Sequence, residues 1–351
     1  MKTPYIVADR HLVTHFWHLG CHTSAVPEDK NYLVLTLLDL QVVIYNREGE
    51  IISFVNECPH RGARLFSDVS GRSIIKCPYH GWIFAKAKTY VPSLDTFNNS
   101  PSDPQHASLR YCRTIVFHGL VFFSVSPVVD FYSQFDPPTL DILNSVGSSI
   151  ALLSASHHAV FPSNWRLAVE NSLEAYHVSQ IHSQSLGRLK PDCGTNTFFA
   201  WSSLLVHTIG NTRILKSLYH ATRYLDISSS LPSSYYSLYL FPFSSISSTA
   251  SVSFSFQSYF PHTNQDLANF CTSLYAPKLL DQGMPADDHP LKSFFTSSFE
   301  LNKQVFEEDM SISALVPLSS WNIMPMKFSS SMEEKILHFR KTYLNSLSYL
   351  P

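Results

Sequence analysis

The rhythm of apolar and polar positions changes near residue 127. Before it, short β-branched runs dominate: Tyr32–Leu38, Val42–Tyr45 and Ile51–Val55, with further runs at Ser73–Lys76 and Gly119–Ser124. Such runs, bounded by turn residues, predict strands, and Asn46-Arg47-Glu48-Gly49 between two of them predicts a hairpin. Residues 1–30 hold one apolar and aromatic stretch around Val13–Leu19. Pro127, Pro137 and Pro138, with Asp and Ser between them, read as a linker, which divides the chain into 1–127 and 128–351. Beyond it the pattern predicts a strand over Ser148–His157 and a helix over Asn164–His177. Strands follow at Phe198–Thr208, Tyr235–Pro242, Ser251–Phe260 and Asn269–Tyr275, then helices at Leu291–Ser311 and Ser331–Leu347. Serine is dense between 228 and 258, yet Val252, Phe254 and Phe256 alternate with it as in a strand. The fold class is α+β: a small all-β unit, then a multi-stranded antiparallel sheet with helices on one side.

Charge and composition narrow the function classes. A net charge of −2 with scattered Lys and Arg leaves no electrostatic footprint for nucleic acid or an anionic membrane. The richest apolar run, Tyr32–Tyr45, is broken by Asp39 and Gln41, and the N-terminus lacks the continuous apolar run of a signal peptide. A cytoplasmic protein is the expectation. Six cysteines, two of them in a metal pattern, do not make a disulfide framework. Cys21, Cys112, Cys193 and Cys271 are expected to be buried structural thiols.

Two stretches carry the candidate chemistry. In ECPHRGARLFSDVSGRSIIKCPYHGWIF, Cys58-x-His60 and Cys77-x-x-His80 form two tight pairs separated by sixteen residues. Two Cys and two His suit either zinc or a cluster. Strand–loop placement, and a Pro and a Gly in each loop (Pro59, Gly62; Pro78, Gly81), favour a Rieske [2Fe–2S] centre. A Cys₂His₂ finger would want both histidines on one helix. The second stretch, NWRLAVENSLEAYHVSQIH (164–182), holds His177 and His182 five residues apart. On a helix Glu170, Glu174 and His177 would share a face, but His182 would stand about 140° away. The rings meet only if the helix ends or distorts. Two imidazoles and a distant carboxylate would then make the open-sided triad that suits non-haem ferrous iron. The alternative is a helix with ordinary surface Glu and His.

Together CPHRGARL, CPYHGW and NWRLAVENSLEAYHVSQIH resemble the catalytic α subunit of Rieske non-haem iron oxygenases, the aromatic-ring-hydroxylating dioxygenase family. LYLFPFSSI, QSYFPHTNQD and the C-terminal SSMEEKILHFRKTYLNSL resemble its later strands and last helix. The resemblance implies an N-terminal Rieske domain followed by a helix-grip catalytic domain. It implies that Cys58, His60, Cys77 and His80 hold the cluster, and that His177 and His182 hold a mononuclear Fe(II). In ELNKQVFEEDMSIS, Asp309 matches the third ligand ahead of Glu307 and Glu308, while Asp281, Asp287 and Asp288 are poorer candidates. Leu315-Val316-Pro317 departs from relatives that continue this helix, so it is expected to stop early. Glu174 stands where many relatives carry Asp, the acid that bridges a cluster histidine of one subunit and an iron histidine of the next. A homotrimer follows from that match.

Asn171 is expected on the iron side of its helix. Tyr239, Phe241, Phe243, Phe256 and Phe306 are candidate pocket walls, with core packing the leading expectation for any single one, since alternating aromatics on strands are ordinarily core. The implied activity is that of a terminal oxygenase using O₂ to hydroxylate a small apolar or aromatic-containing molecule. Lacking a nucleotide or flavin signature, the chain would receive NAD(P)H electrons through a flavin-dependent reductase, with or without a ferredoxin. Glu174 lends weight to a monooxygenase that demethylates or hydroxylates an amine or natural-product intermediate. A Rieske electron carrier without catalysis would leave His177, His182 and Asp309 unexplained.

Overall fold

The computed structural model describes residues 3–97, 103–192, 194–280, 292–322 and 330–349. Cys193, Asp281, Asp287, Asp288 and Leu291 lie outside them. In the first half, Glu50–Val55, Leu40–Arg47, Asn31–Leu37 and Ser70–Arg72 pair in that order in an antiparallel sheet. The Asn46–Gly49 hairpin forms as its sequence requires. Glu48 and Gly49 both have positive φ (56° and 86°), the two-residue turn that matches strand twist, and Asn46 Oδ1 accepts the Gly49 N–H at 2.9 Å. A second sheet pairs His18–His22 with Leu120–Ser124 and Arg113–Phe117. Ser73–Lys76 is not a strand. The pairing segment lies just before it, and of the expected run Lys76 makes an isolated bridge, to Ile83.

The expected linker holds a short helix, Phe131–Gln134, and ends in the first turn of a longer one, Pro137–Ser149. Pro137 and Pro138 occupy its first turn, where a missing N–H costs nothing, and Asp136 caps it by accepting from Thr139 N at 3.2 Å. Helices at Thr3–His15 and Thr212–Thr222 also stand where none was expected.

An eight-stranded antiparallel sheet dominates the second half. Its main order is Ile150–Phe161, Ala268–Leu279, Phe254–Pro261, Ser244–Thr249, Tyr235–Leu240, Ser202–His207 and Thr195–Phe198, with Leu225–Asp226 off that path. Strand alternation gives its two faces different partners. Tyr236, Leu238, Ile246, Phe254 and Phe256 pack against Leu143 and Val146 of the Pro137–Ser149 helix. Tyr235, Ser237, Ser247 and Ser255 face a cavity shared with the Trp165–Leu173 and Lys292–Ser313 helices. No helix among the described residues is long and apolar enough to cross a membrane.

The Trp165–Leu173 helix is clamped by buried charge. Arg166 and Asp9 are both fully buried and pair at 2.5 Å. Tyr343 Oη accepts from Arg166 at 2.8 Å, and Trp165 Nε1 donates to Asp9 at 3.0 Å. Two distant segments therefore meet at this helix's first turn. Glu170 instead faces the Glu334–Ser346 helix and forms a two-point ion pair with Arg340, with Nη2 to Oε2 at 2.8 Å. It does not join His177, contrary to the shared face expected from spacing. Removing one partner of a buried pair strands the other charge. Asp9→Ala should lower unfolding stability by about 3–5 kcal/mol in urea titration. A loss under about 1 kcal/mol, the range of an exposed pair, would show that the network does not anchor the helix.

Candidate metal centres

The helix breaks where the chemistry needs it to. Helical geometry stops at Leu173, and Glu174 is extended (φ −119°, ψ 159°). Its carboxylate accepts the backbone N–H groups of Tyr176 and His177 and also engages His177 Nδ1. This closes the chain into a second, four-residue helix, Val178–Ile181, with His177 before it and His182 after it. The angular mismatch of a five-residue step disappears because the two histidines flank a new helix.

The long Lys292–Ser313 helix brings Asp309 to the same point. His177 Nε2 lies 3.1 Å from His182 Nε2, and Asp309 Oδ1 lies 3.4 Å and 3.0 Å from these nitrogens. Among the described residues this is the one His/Cys/acid group whose donor atoms all fall within 4.8 Å of one another. Each member is held from behind. Glu174 takes His177 Nδ1, and Glu308 Oε2 accepts from His182 Nδ1 at 2.7 Å. Ser185 Oγ and Gln304 Nε2 donate to Glu308 at 2.6 and 2.7 Å, and Asn171 Nδ2 donates to Asp309 at 2.7 Å. With protons on both Nδ1 atoms, two imidazole lone pairs and a carboxylate oxygen converge. Such an arrangement repels itself unless a cation or a proton stands among them. Burial opposes charging His177, but its hydrogen bonds with Asp309 and Glu174 outweigh it and raise its pKa to about 9. His182 shifts upward through the same contest, and Asp309 shifts downward despite its burial. The donor set fits a divalent ion.

Of the neighbouring acids, Glu307 pairs outward with Lys303 at 3.9 Å. Glu308, a rival for the third ligand on sequence grounds, instead steadies His182. Its role follows from the rotation of about 100° between consecutive helix positions that separates it from Asp309, and sequence offered no sign of it. Ser185 and Gln304 were likewise not anticipated. Phe306 borders the cavity, whereas Tyr239, Phe241 and Phe243 lie in one hydrophobic core and Phe256 in another. Phe243 stacks on His18 and meets Trp165 edge-on.

In the first half, the two Cys/His loops are built alike. Cys58 and Cys77 accept the N–H of Gly62 and Gly81 at 2.9 and 3.0 Å, and both glycines have φ near +72° (73° and 72°). Cys58 N donates to Ala63 O and Cys77 N to Trp82 O, each at 2.8 Å. Asn56 pins one loop by accepting from Leu65 N and Phe66 N, both at 3.0 Å. The thiols are buried, and burial together with the neighbouring Cys77 pushes the Cys58 pKa up. His60 lies 4.7 Å from His80 between ring centroids and stacks flat on Trp82. His60 Nδ1 is buried with no hydrogen-bond partner, as a ligand atom would be. Two thiols and two imidazoles on a pair of like-built loops are the donor set of a Rieske two-iron centre. Cys21 and Cys112 are buried free thiols and Cys271 is half-buried.

Comparison with known proteins agrees with this geometry. Residues 16–98 match the Rieske [2Fe-2S] domain, and residues 151–348 match the ring hydroxylating alpha subunit (catalytic domain). The alpha subunit of toluate 1,2-dioxygenase from Pseudomonas putida is 28% identical over 184 residues, which cover 49% of this chain and 40% of that protein. The carnitine monooxygenase oxygenase subunit of Acinetobacter pittii is 26% identical over 170 residues, 47% of this chain and 46% of that one. The chain thus matches less than half the length of these curated relatives. Among solved structures, a quaternary ammonium Rieske monooxygenase in complex with L-carnitine superposes with a TM-score of 0.71 at 18% identity. That superposition covers 97% of this chain and 91% of the other. Naphthalene 1,2-dioxygenase from Rhodococcus sp. bound to indole gives 0.71 at 19% identity, over 99% and 92%. These likenesses show a shared fold. With a Rieske domain in front, and more than half of its length inside the catalytic-domain match, the chain belongs to the ring-hydroxylating oxygenase alpha-subunit family.

Proposed function

We propose that this chain is the terminal oxygenase of a Rieske system, acting in the cytoplasm as a homotrimer on a small apolar or aromatic-containing molecule. Its electrons come from NAD(P)H through a flavin-dependent reductase, with or without a ferredoxin. One observation carries the reading: two imidazoles and one carboxylate converge at 3.0–3.4 Å at the end of a cavity of about 380 Å³. Here Cys58, Cys77, His60 and His80 would hold the cluster, and His177, His182 and Asp309 the ferrous ion. When bound, the cluster supplies electrons singly and the ferrous ion activates O₂ beside the substrate.

The chain's own residues prepare that chemistry. Glu174 and Glu308 keep each ring's Nδ1 protonated and its Nε2 free for metal. Asn171 fixes the Asp309 oxygen. Burial of His182 and Asp309 limits water at the centre. The homotrimer is supported by what lies at the surface. Tyr79 and Tyr176, which adjoin a cluster histidine and an iron histidine, are 59% and 64% exposed. Glu174, bonded to the Tyr176 N–H, would accept a further hydrogen bond from a neighbouring subunit. The domain boundary near residue 127 precedes the helix that covers the back of the catalytic sheet.

Purified protein should be red-brown with three irons per chain and should incorporate label from ¹⁸O₂ when a surrogate reductase is supplied. His177→Ala should leave two irons and the cluster spectrum while abolishing oxidation; three irons retained in that variant would remove His177 from the ligand set. Glu308→Gln should weaken ferrous ion binding about 10- to 100-fold without altering the cluster spectrum. Glu174→Gln should keep both centres yet lower product formed per electron consumed; unchanged coupling would end the bridging role.

A further inference from the structure

The cavity has two unlike walls. One is apolar, formed by Val178, Leu186, Leu301, Val305 and Phe306 from the flanking helical segments. The other is the inner face of the sheet, and its central row is serine. Ser237 lies directly opposite Ser247, and Ser247 opposite Ser255, across three neighbouring antiparallel strands. All three are buried. A sheet face turned toward a core is ordinarily β-branched or aromatic, and the reverse face of these same strands is: Tyr236, Ile246 and Phe254. A buried hydroxyl row is unfavourable in an apolar setting unless something answers it.

Gln257 organises the row. Its Nε2 donates to Ser247 Oγ at 2.9 Å and to Ser255 Oγ at 3.3 Å, while its Oε1 accepts from Ser245 Oγ at 3.3 Å. Both serine oxygens therefore act as acceptors toward Gln257, and their own O–H protons are not spent there. Ser247 also neighbours the Tyr235 phenol. Ser255 and Ser237 remain placed to donate into the cavity. Charge is scarce on these walls. Among the described residues lining the cavity, Glu174 and Asp309 are engaged by histidine, and Arg188 is exposed and bonded to Gln184. No buried Lys or Arg is among the described residues that line the cavity; the buried Lys335, outside that lining, donates from its ammonium to the Ser237 carbonyl at 3.3 Å.

We infer that the substrate is an uncharged molecule with hydroxyl or carbonyl oxygen along one edge. It binds with that edge on the Ser237–Ser247–Ser255 row and its carbon skeleton on the helical wall. This rests on the assignment of the cavity as the oxygenase's substrate site, and it adds the class of substrate. The serine row is then a specificity element, presenting neutral donors where a carboxylate-binding pocket would present Arg or Lys.

Three probes on one bicyclic skeleton test it: tetralin, α-tetralone and 5,6,7,8-tetrahydro-2-naphthoate. Binding to the iron-loaded protein is measured by calorimetry without reductant or oxygen, so the result does not depend on turnover. The ketone should bind about tenfold tighter than the hydrocarbon, the gain of one neutral hydrogen bond, and the anion should bind more weakly than the ketone. In the double variant Ser237→Ala and Ser255→Ala the ketone-to-hydrocarbon ratio should fall toward one; Gln257→Leu should reduce it as well. Tetralin affinity and circular dichroism in each variant report whether the pocket and fold persist. The inference fails if the anion binds as tightly as the ketone, if no probe binds, or if the variants leave the ratio unchanged. Turnover with labelled oxygen, scored separately, decides the oxygenase assignment itself.

Discussion

Three lone pairs pointed at one another are the constraint on which the catalytic half depends. His177 Nε2, His182 Nε2 and Asp309 Oδ1 approach within 3.0–3.4 Å and would repel unless protonated or bound to a cation. Holding them there needs opposing pulls from outside. Glu308 supplies one at His182 Nδ1, while its sequence neighbour Asp309 meets the same ring at Nε2. Successive helix positions are turned about 100° apart, and the extra methylene of Glu reaches the farther nitrogen. The imidazole is gripped at both ends by neighbours in sequence. His177 is gripped similarly by Glu174, whose carboxylate also closes the backbone turn that follows the helix.

Such a grip is useful only if the helices carrying it cannot slide. The short Trp165–Leu173 helix makes no long run of its own hydrogen bonds, so its position is set by tertiary contacts. Arg166 is tied to Asp9 and Tyr343 at one end, and Glu170 to Arg340 farther along. Buried ion pairs add little net stability compared with apolar packing, but they tolerate only one geometry. That is the property a metal site requires of its scaffold. It also makes the N-terminal helix, far away in sequence, part of the catalytic half's frame.

Legibility in the sequence followed how local each feature was. The Cys58/His60 and Cys77/His80 loops were readable because each is a self-contained turn in which a Gly with positive φ closes onto its own Cys. The three early strands were readable from runs of apolar residues. The Pro137–Ser149 helix was not, since Pro137 and Pro138 break a helix anywhere except at its start, and only the Asp136 cap signals that start. Ser244–Thr249, with one apolar residue in SSISST, hides its strand character because one of its faces borders the cavity. Thr212–Thr222 did carry a signal, Ile214, Leu218 and Ala221 on one face, beneath an otherwise polar surface. Asp309 was reachable through family likeness, whereas Glu308's hold on His182 spans 126 residues and exists only once the chain has folded.

The two halves also differ in how they resist change. Backbone N–H groups and two glycines shape the cluster loops, so most side-chain substitutions around them leave their geometry standing. Side chains drawn from three separate helical segments shape the His177 centre, and each holds its place through another side chain. Removing Glu308 frees His182, and removing Gln304 or Ser185 loosens Glu308. Sensitivity there spreads outward through hydrogen bonds. The cavity wall facing the centre lies on strands whose opposite face is packed core, so substitutions in the serine row change what the pocket meets without entering that core. That wall can therefore change along the sheet while the segments carrying His177, His182 and Asp309 stay as they are.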